Sequence, residues 1–497
     1  MTDFVHVSGG KPFLPNAMAA NHLVPQQVMM VGLGPHARRI YMHYFGKHNL
    51  APAAIVELEE QKDMVATYLA THQLKSDVYF VPTTQRDAET LSPTDVRALD
   101  ALIRQNSITH AILSTEPKAH KAYIKYFLSK GIHTLTDKPI TAPTNPITHP
   151  GQAAQIEHDY DDLMALYAPQ KDKGVRLSVQ CQRRFHPAYA FIRSLLEDLA
   201  KAHQIPVTHM EVYHCDGMWN MPDEFLSREN HPYKYGYGKL YHSGYHFVDL
   251  AAWLMQATVP HLPPSKQPDN ASIYTSVTRP SDFMNQINGN DYARLMGTNR
   301  FQDLTHQRKN DNFATMGEID FNGILTFKNG EDVLTHCQLT LLQNGFSRRA
   351  WDKLPPDTYK GNGRVRHERL NIQMGPLVNI QIHSYQSKEV KERGHDHDGV
   401  GSLEHFDIHI FRNTALIGGL PVQTLTVKDV LGESSVHEGF IGYNEHARER
   451  CLLSFLKNEE GPSDLADHAL GIKIMRAAYT AMSLGHYGQP PLSYFRL

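Results

Sequence analysis

Val28-Met-Met-Val31-Gly32-Leu-Gly34-Pro-His36-Ala37 decides how the rest of the chain is read. A short apolar run, the size of a buried strand, meets two glycines and then a helical pattern from Arg38 to Phe45. Gly32 permits a tight turn, Gly34 lets backbone approach a pyrophosphate, and Ala37 is small enough for close helix packing. The helix N-terminus that follows attracts an anion. The next strand, Ala53 to Val56, ends at Glu57, 20 residues beyond Ala37. A carboxylate there holds a ribose 2′-OH and repels a 2′-phosphate. NAD is therefore favoured over NADP, with Arg38 and Arg39 the features that speak for a phosphate.

Working outward, strands at Val78–Val81, His110–Leu113, Ile132–Leu135 and Val175–Gln180 alternate with amphipathic helices. That order means a parallel sheet covered on both faces, an α/β Rossmann domain over residues 26–182. Residues 1–25, rich in Gly, Pro and Asn, form an N-terminal arm. From 183 to 497 strand patterns dominate: 208–213, 272–277, 323–327, 334–342, 370–373, 378–383 and 405–411. They describe an α+β domain with a large, open, mostly antiparallel sheet and closing helices at 446–456 and 465–484. Polar stretches near 260–270, 282–312, 348–366 and 387–402 interrupt it as insertions.

The totals exclude several classes. A chain of 497 residues is too long for one core. A formal net charge of -3 gives no reason to expect nucleic acid or an anionic membrane as partner. Four cysteines lie far apart, without CxxC spacing, which argues against a disulfide framework or zinc ribbon. No apolar run reaches membrane-spanning length, and the N-terminus lacks a secretory pattern, so a cytoplasmic protein is expected.

The chemistry concentrates in Gly238-Lys-Leu-Tyr-His242-Ser-Gly244-Tyr-His246-Phe-Val-Asp249. A helix from Tyr241 onward would place His242, His246 and Asp249 on one face. They could share a metal ion, act in acid/base catalysis, or be structural. His395-Asp-His-Asp398 sits in a polar stretch and reads as a solvated loop, so no metal site is expected.

Ser114-Thr115-Glu-Pro-Lys-Ala-His120, Thr134-Leu-Thr-Asp137-Lys138-Pro139, Gln182-Arg-Arg184-Phe-His-Pro187, Gly238 to Asp249 and the closing Ser463 to Gly485 together resemble the glucose-fructose oxidoreductase / inositol dehydrogenase (Gfo/Idh/MocA) family. The resemblance implies a Rossmann domain, a second domain whose sheet often joins subunits into a homo-oligomer, and an active site between them. It implies hydride transfer between NAD and a secondary hydroxyl of a sugar, polyol or sugar derivative. Asp137-Lys138-Pro139 matches the family's Glu-Lys-Pro, and its Lys–Pro bond is commonly cis. His246 takes the catalytic histidine position, Lys138 polarises the reacting oxygen, and the two roles are exchangeable. His242 stands where the family has an aspartate, a third catalytic candidate and the chief departure. Gly32, Gly34, His36, Ala37, Glu57, Ser114, Thr115, His120, Asp137 and Lys138 are the expected cofactor residues. Arg184, Trp219 and Asp249 are the expected substrate contacts. Two alternatives remain: an NAD-dependent glycosidase or lyase using transient oxidation, and a non-catalytic dinucleotide-sensing regulator.

Overall fold

The computed structural model describes residues 27–86, 88–228, 231–306, 311–345, 347–348, 365–387, 399–402, 405–431 and 442–497. The N-terminal arm and His395–Asp398 lie outside them. Six strands, β1 (Val28–Val31), β2 (Ala54–Leu58), β3 (Asp77–Val81), β4 (His110–Leu113), β5 (His133–Thr136) and β6 (Leu177–Val179), form one sheet. Its order is β3-β2-β1-β4-β5-β6, and every pairing is parallel. All four residues of β1 are buried, as a strand covered on both faces requires.

The strand order reverses between β1 and β4, so the loops leaving these two strands part and open a crevice. Gly32 sits at that point with φ of +89°, and a Cβ there would run into the carbonyl of Ser114 at the end of β4. A continuous helical run over residues 35–47 follows, with a π turn at Arg38–Met42.

The second sheet has nine strands among the described residues: β7 (His209–Cys215), β8 (Asn270–Thr278), β9 (Asp320–Asn329), β10 (Asp332–Leu342), β11 (Val365–Met374), β12 (Val378–Ser387), β13 (Asp407–Arg412), β14 (Val422–Thr426) and β15 (Leu492–Arg496). Their order is β14-β13-β12-β11-β7-β10-β9-β8-β15. Only the central β7–β10 pairing is parallel. The seven strands expected from alternation are present, while β14 and β15 are additions at the two edges. Inward residues such as Leu339, Leu370, Ile380 and Ile408 are buried; Tyr274, Ile324 and Tyr494 stand exposed on the outer face.

Two expectations need correction. The chain does not divide once at residue 182, because helix Tyr443–Leu456 returns to the Rossmann domain. Its Ala447, Leu452 and Phe455 enter the core formed by Tyr41, Tyr44 and Phe45, and Tyr44 Oη donates to Glu445 O at 2.7 Å. The stretch 282–312 is not only a polar insertion. Helices Pro280–Gln286 and Gly289–Met296 lie there, and Phe283, Met284 and Phe313 pack with Phe225 and Tyr233 into a small separate core. Its few apolar residues are spaced for packing, but the polar ones between them hide the pattern.

A buried ion pair joins the parts. Arg184, in the turn after β6, donates two bonds to Asp249: Nε to Oδ2 at 2.9 Å and Nη2 to Oδ1 at 2.7 Å. His468 Nδ1 lies 2.9 Å from the same carboxylate, ahead of helix Ala469–His486. Burial pushes the Asp249 carboxyl up, but Arg184 and His468 outweigh it and hold it below the usual carboxylate range. Removing one partner strands the other charge in the interior. Asp249→Ala should therefore cost about 3–5 kcal/mol of stability, read from the urea midpoint, and pairing it with Arg184→Met should recover part of that loss.

Candidate active site

The crevice at the strand-order reversal widens into a cleft of about 1030 Å³ that runs from Gly34 and Glu57 to Lys138 and His246. At the first end, a Cβ on Gly34 would meet nothing within 4 Å, so the backbone there faces open space. Glu57 lines the same region; its Oε2 accepts the Leu33 N–H at 2.6 Å and its Oε1 the Leu58 N–H at 2.8 Å. A carboxylate held this way keeps lone pairs for a ribose hydroxyl. Glycine backbone, an open helix N-terminus and an acid at the end of β2 fit a dinucleotide.

The loops from β4 and β5 form the next part of the wall. Asp137 accepts from Tyr41 Oη at 2.5 Å and from Ser114 Oγ at 2.7 Å, and His36 Nε2 lies 3.7 Å from it. The Lys138–Pro139 bond is cis. Lys138 Nζ donates to the carbonyl of His242. That carbonyl is available because the helix is broken there. Leu240–Gly244 winds as a π turn, His242 has φ −75° and ψ −112°, and the regular helix begins only at Tyr245. Gly244 is required at this turn, since a Cβ would press on the Lys239 carbonyl.

Burial lowers the Lys138 ammonium to about 8, against the pull of Asp137. Burial, with Lys138 and Arg183 beside it, holds His246 well below the usual histidine range, and His242 is held down by burial and His231. Both imidazoles are neutral at neutral pH. Among the described residues, His246 Nδ1 and His242 Nε2 are buried with no hydrogen-bond partner.

The family model described as the oxidoreductase family, NAD-binding Rossmann fold (Gfo/Idh/MocA), matches residues 27–179. Those residues match the NAD-binding Rossmann domain of that family. Solved structures resemble the chain over nearly its whole length. The aldose-aldose oxidoreductase of Caulobacter crescentus, complexed with glycerol, is 16% identical, with 95% of this chain and 100% of that one covered and a TM-score of 0.52. An oxidoreductase domain protein of Kribbella flavida is 15% identical over 95% and 98%, with a TM-score of 0.56. The WlbA dehydrogenase of Bordetella pertussis, complexed with NADH and UDP-GlcNAcA, is 11% identical over 95% and 99%, with a TM-score of 0.51. At these identities the likeness is one of fold. No curated protein matches the chain.

Against the Gfo/Idh/MocA pattern, Gly32, Gly34, His36, Glu57, Ser114, Thr115, Asp137, Lys138, His242 and His246 all line the one cleft. Ala37 and His120 do not. Ala37 is packed in the core, and His120 is buried behind the cleft, Nδ1 2.9 Å from Pro139 O and Nε2 3.2 Å from Thr115 O. His120 ties the two loops together rather than touching a ligand. The three expected substrate contacts are elsewhere. Arg184 and Asp249 are consumed by the buried ion pair, so His242, His246 and Asp249 do not share one working face. Trp219 packs 4.6 Å from the Phe283 ring and donates to Tyr292 Oη at 3.1 Å, anchoring the helical insertion. Cys181 joins Asp249 and His468 in a metal-like triad, but Arg184 already occupies the carboxylate and burial pushes the thiol well above its usual range.

The sequence reading passed over Asp216. It ends just past β7, lines the cleft, and accepts from Lys239 Nζ at 2.8 Å and from Ser243 Oγ. Lys239 is fully buried and also lies 3.1 Å from His214 Nδ1. An acid at a strand end next to glycine was the available signal, though β7 had no other link to the cleft. Arg366 of β11, Gln180 and Gln343 also line it. Glu57→Ala should weaken NAD binding about tenfold or more, the worth of a charge-assisted hydrogen bond, while NADP binding falls less. Titration of the dinucleotides by fluorescence checks the ratio.

Proposed function

We propose that the chain is an NAD-dependent oxidoreductase acting on a secondary hydroxyl of a sugar, polyol or sugar derivative. The observation that carries this reading is the convergence, at the inner end of the dinucleotide cleft, of Lys138 with polar atoms that lack protein partners. His246 Nδ1, His242 Nε2, Arg183 Nε, Gln180 Oε1 and Gln343 Nε2 are buried without a hydrogen-bond partner among the described residues, on side chains that line the cleft. Unpaired buried polar groups are costly. A polyhydroxylated ligand offers the donors and acceptors that offset that cost.

Gly32, Gly34 and Glu57 hold the dinucleotide, which when bound supplies the hydride acceptor. The residues of the chain then have the proton to manage. A general base works best with a pKa near the working pH. Lys138, at about 8, is closer to that condition than His246, which is held far below. Lys138 Nζ is therefore the group that takes the hydroxyl proton. The His242 carbonyl and Asp137 keep it in place. His246, neutral, hydrogen-bonds the reacting oxygen and orients it. This is the exchanged assignment of the two roles. Asp216, with Lys239 and Ser243, supplies the carboxylate that residue 242 does not. The outer face of the second sheet, with Tyr274, Ile324 and Tyr494 exposed, is read as the surface that joins subunits.

Lys138→Met should cut oxidation at least about 100-fold while dinucleotide binding stays near that of the native chain; ordinary turnover would remove Lys138 from the mechanism. The neutral amine is the active form, so it is populated above its pKa. Oxidative kcat/KM should rise tenfold per pH unit and level off near 8. A profile flat from pH 6 to 9 would return the proton to another group. Net NADH formation on a panel of sugars and polyols supports the dehydrogenase; glycoside cleavage without net NADH would favour the lyase chemistry on the same residues.

A further inference from the structure

Arg183 and Arg366 reach the same wall of the cleft from different domains, one following β6 and the other on β11. Each donates an N–H to the same oxygen, Glu368 Oε1, at 2.5 Å. The other Glu368 oxygen accepts from Tyr189 Oη at 3.1 Å. Two guanidiniums thus share one carboxylate. Arg183 is 1% exposed, its Nε has no protein partner, and its plane lies 4.0 Å from the Phe247 ring, the residue after His246. Arg183, Arg448 and Arg366 all act on His246 electrostatically.

Two further acids of the cleft, Asp216 and Glu445, also act on Arg366, but each already has a cation of its own. Asp216 is opposed by the buried Lys239 and Glu445 by Arg448. The imidazoles of His242 and His246 are neutral and bring no counter-charge. A buried cation without a matching anion is costly, and side chains without charge would fill the same space at less expense. Guanidinium forks are suited to planar or tetrahedral oxyanions that accept two bonds at once.

We propose that the substrate carries an anionic group, a carboxylate or a phosphate on the sugar or polyol, and docks it on Arg183 and Arg366. This rests on the reading of the cleft as a substrate site and adds what the substrate must bear. The docked charge completes the pairing that Glu368 leaves half done. It also fixes which hydroxyl comes to Lys138 and His246, because Arg183 stands against Phe247, next to His246 in the chain.

The test uses matched compounds: a neutral sugar or polyol, the corresponding aldonic or uronic acid, and the corresponding phosphate. Turnover is followed by NADH absorbance, and binding to the NADH-loaded protein by nucleotide fluorescence. The acid or the phosphate should exceed the neutral parent in kcat/KM by about 100-fold, the worth of one or two charge-assisted bonds. Whichever of the two leads identifies the anion. Arg366→Gln should lower that preference at least tenfold, mainly through KM, and Arg366→Lys should restore part of it. Unchanged NADH affinity in both variants shows that they fold. Equal or better use of the neutral parent would overturn the proposal and leave the oxidoreductase reading standing. Binding of the acid or phosphate without NADH formation would do the reverse. Failure of every acid and phosphate to bind overturns it as well.

Discussion

The two-pronged bond from Arg184 to Asp249 is the constraint on which the rest of the site depends. Arg184 leaves the last Rossmann strand, Asp249 lies on the helix that carries His246, and His468 leads into the closing helix. Three separate segments meet at one buried charge. Geometry at the guanidinium is rigid, so the helix can rotate little about its axis without losing both bonds. The orientation of His246, one turn away, follows from that restriction. Arg184 and Asp249 fix where the imidazole stands, and they do so from inside the core.

The break ahead of that helix has a consequence of its own. In an unbroken helix the carbonyl of His242 would accept an amide four residues on. The π turn and the unusual ψ at His242 release it, and Lys138 takes it up. The glycine at 244 is what allows the backbone to crowd against Lys239 without a side chain in the way. Thus Lys138, from the first domain, is located by backbone of the second. A side-chain carboxylate would have added charge at that contact; a carbonyl gives only a dipole, which leaves burial to set the lysine near 8.

Much of this was legible in the residues. The Gly32–Ala37 turn, the alternation of strand and helix, and Glu57 at the end of β2 act locally, so a local pattern reports them. The edges of the second sheet and the return of helix Tyr443–Leu456 to the first domain were not, because they depend on contacts hundreds of residues apart. Spacing grouped Asp249 with His246, yet spacing cannot say which groove a neighbouring arginine fills. Trp219 stood among the expected substrate contacts; its partners, Phe283 and Tyr292, lie in a stretch whose polarity concealed a core. Asp216 and Arg366 gave no motif, since strands from distant parts of the chain bring them to the cleft.

The histidine at 242 and the paired arginines are best understood together. Losing an acid beside Lys138 leaves fewer negative charges to oppose the cations around the reacting position. Asp137 and Asp216 both favour the charged lysine, and burial still outweighs them. Arg183 and Arg366 over a single Glu368 deepen the imbalance, and with burial and Lys138 they hold His246 neutral. An arrangement of this kind is unfavourable to the free protein, which must keep positive charge out of water without full compensation. It becomes favourable once an anion enters, because the same low-dielectric surroundings that made the unpaired charges costly then strengthen their attraction to it. The departure at residue 242 and the doubled arginine are therefore two sides of one electrostatic arrangement.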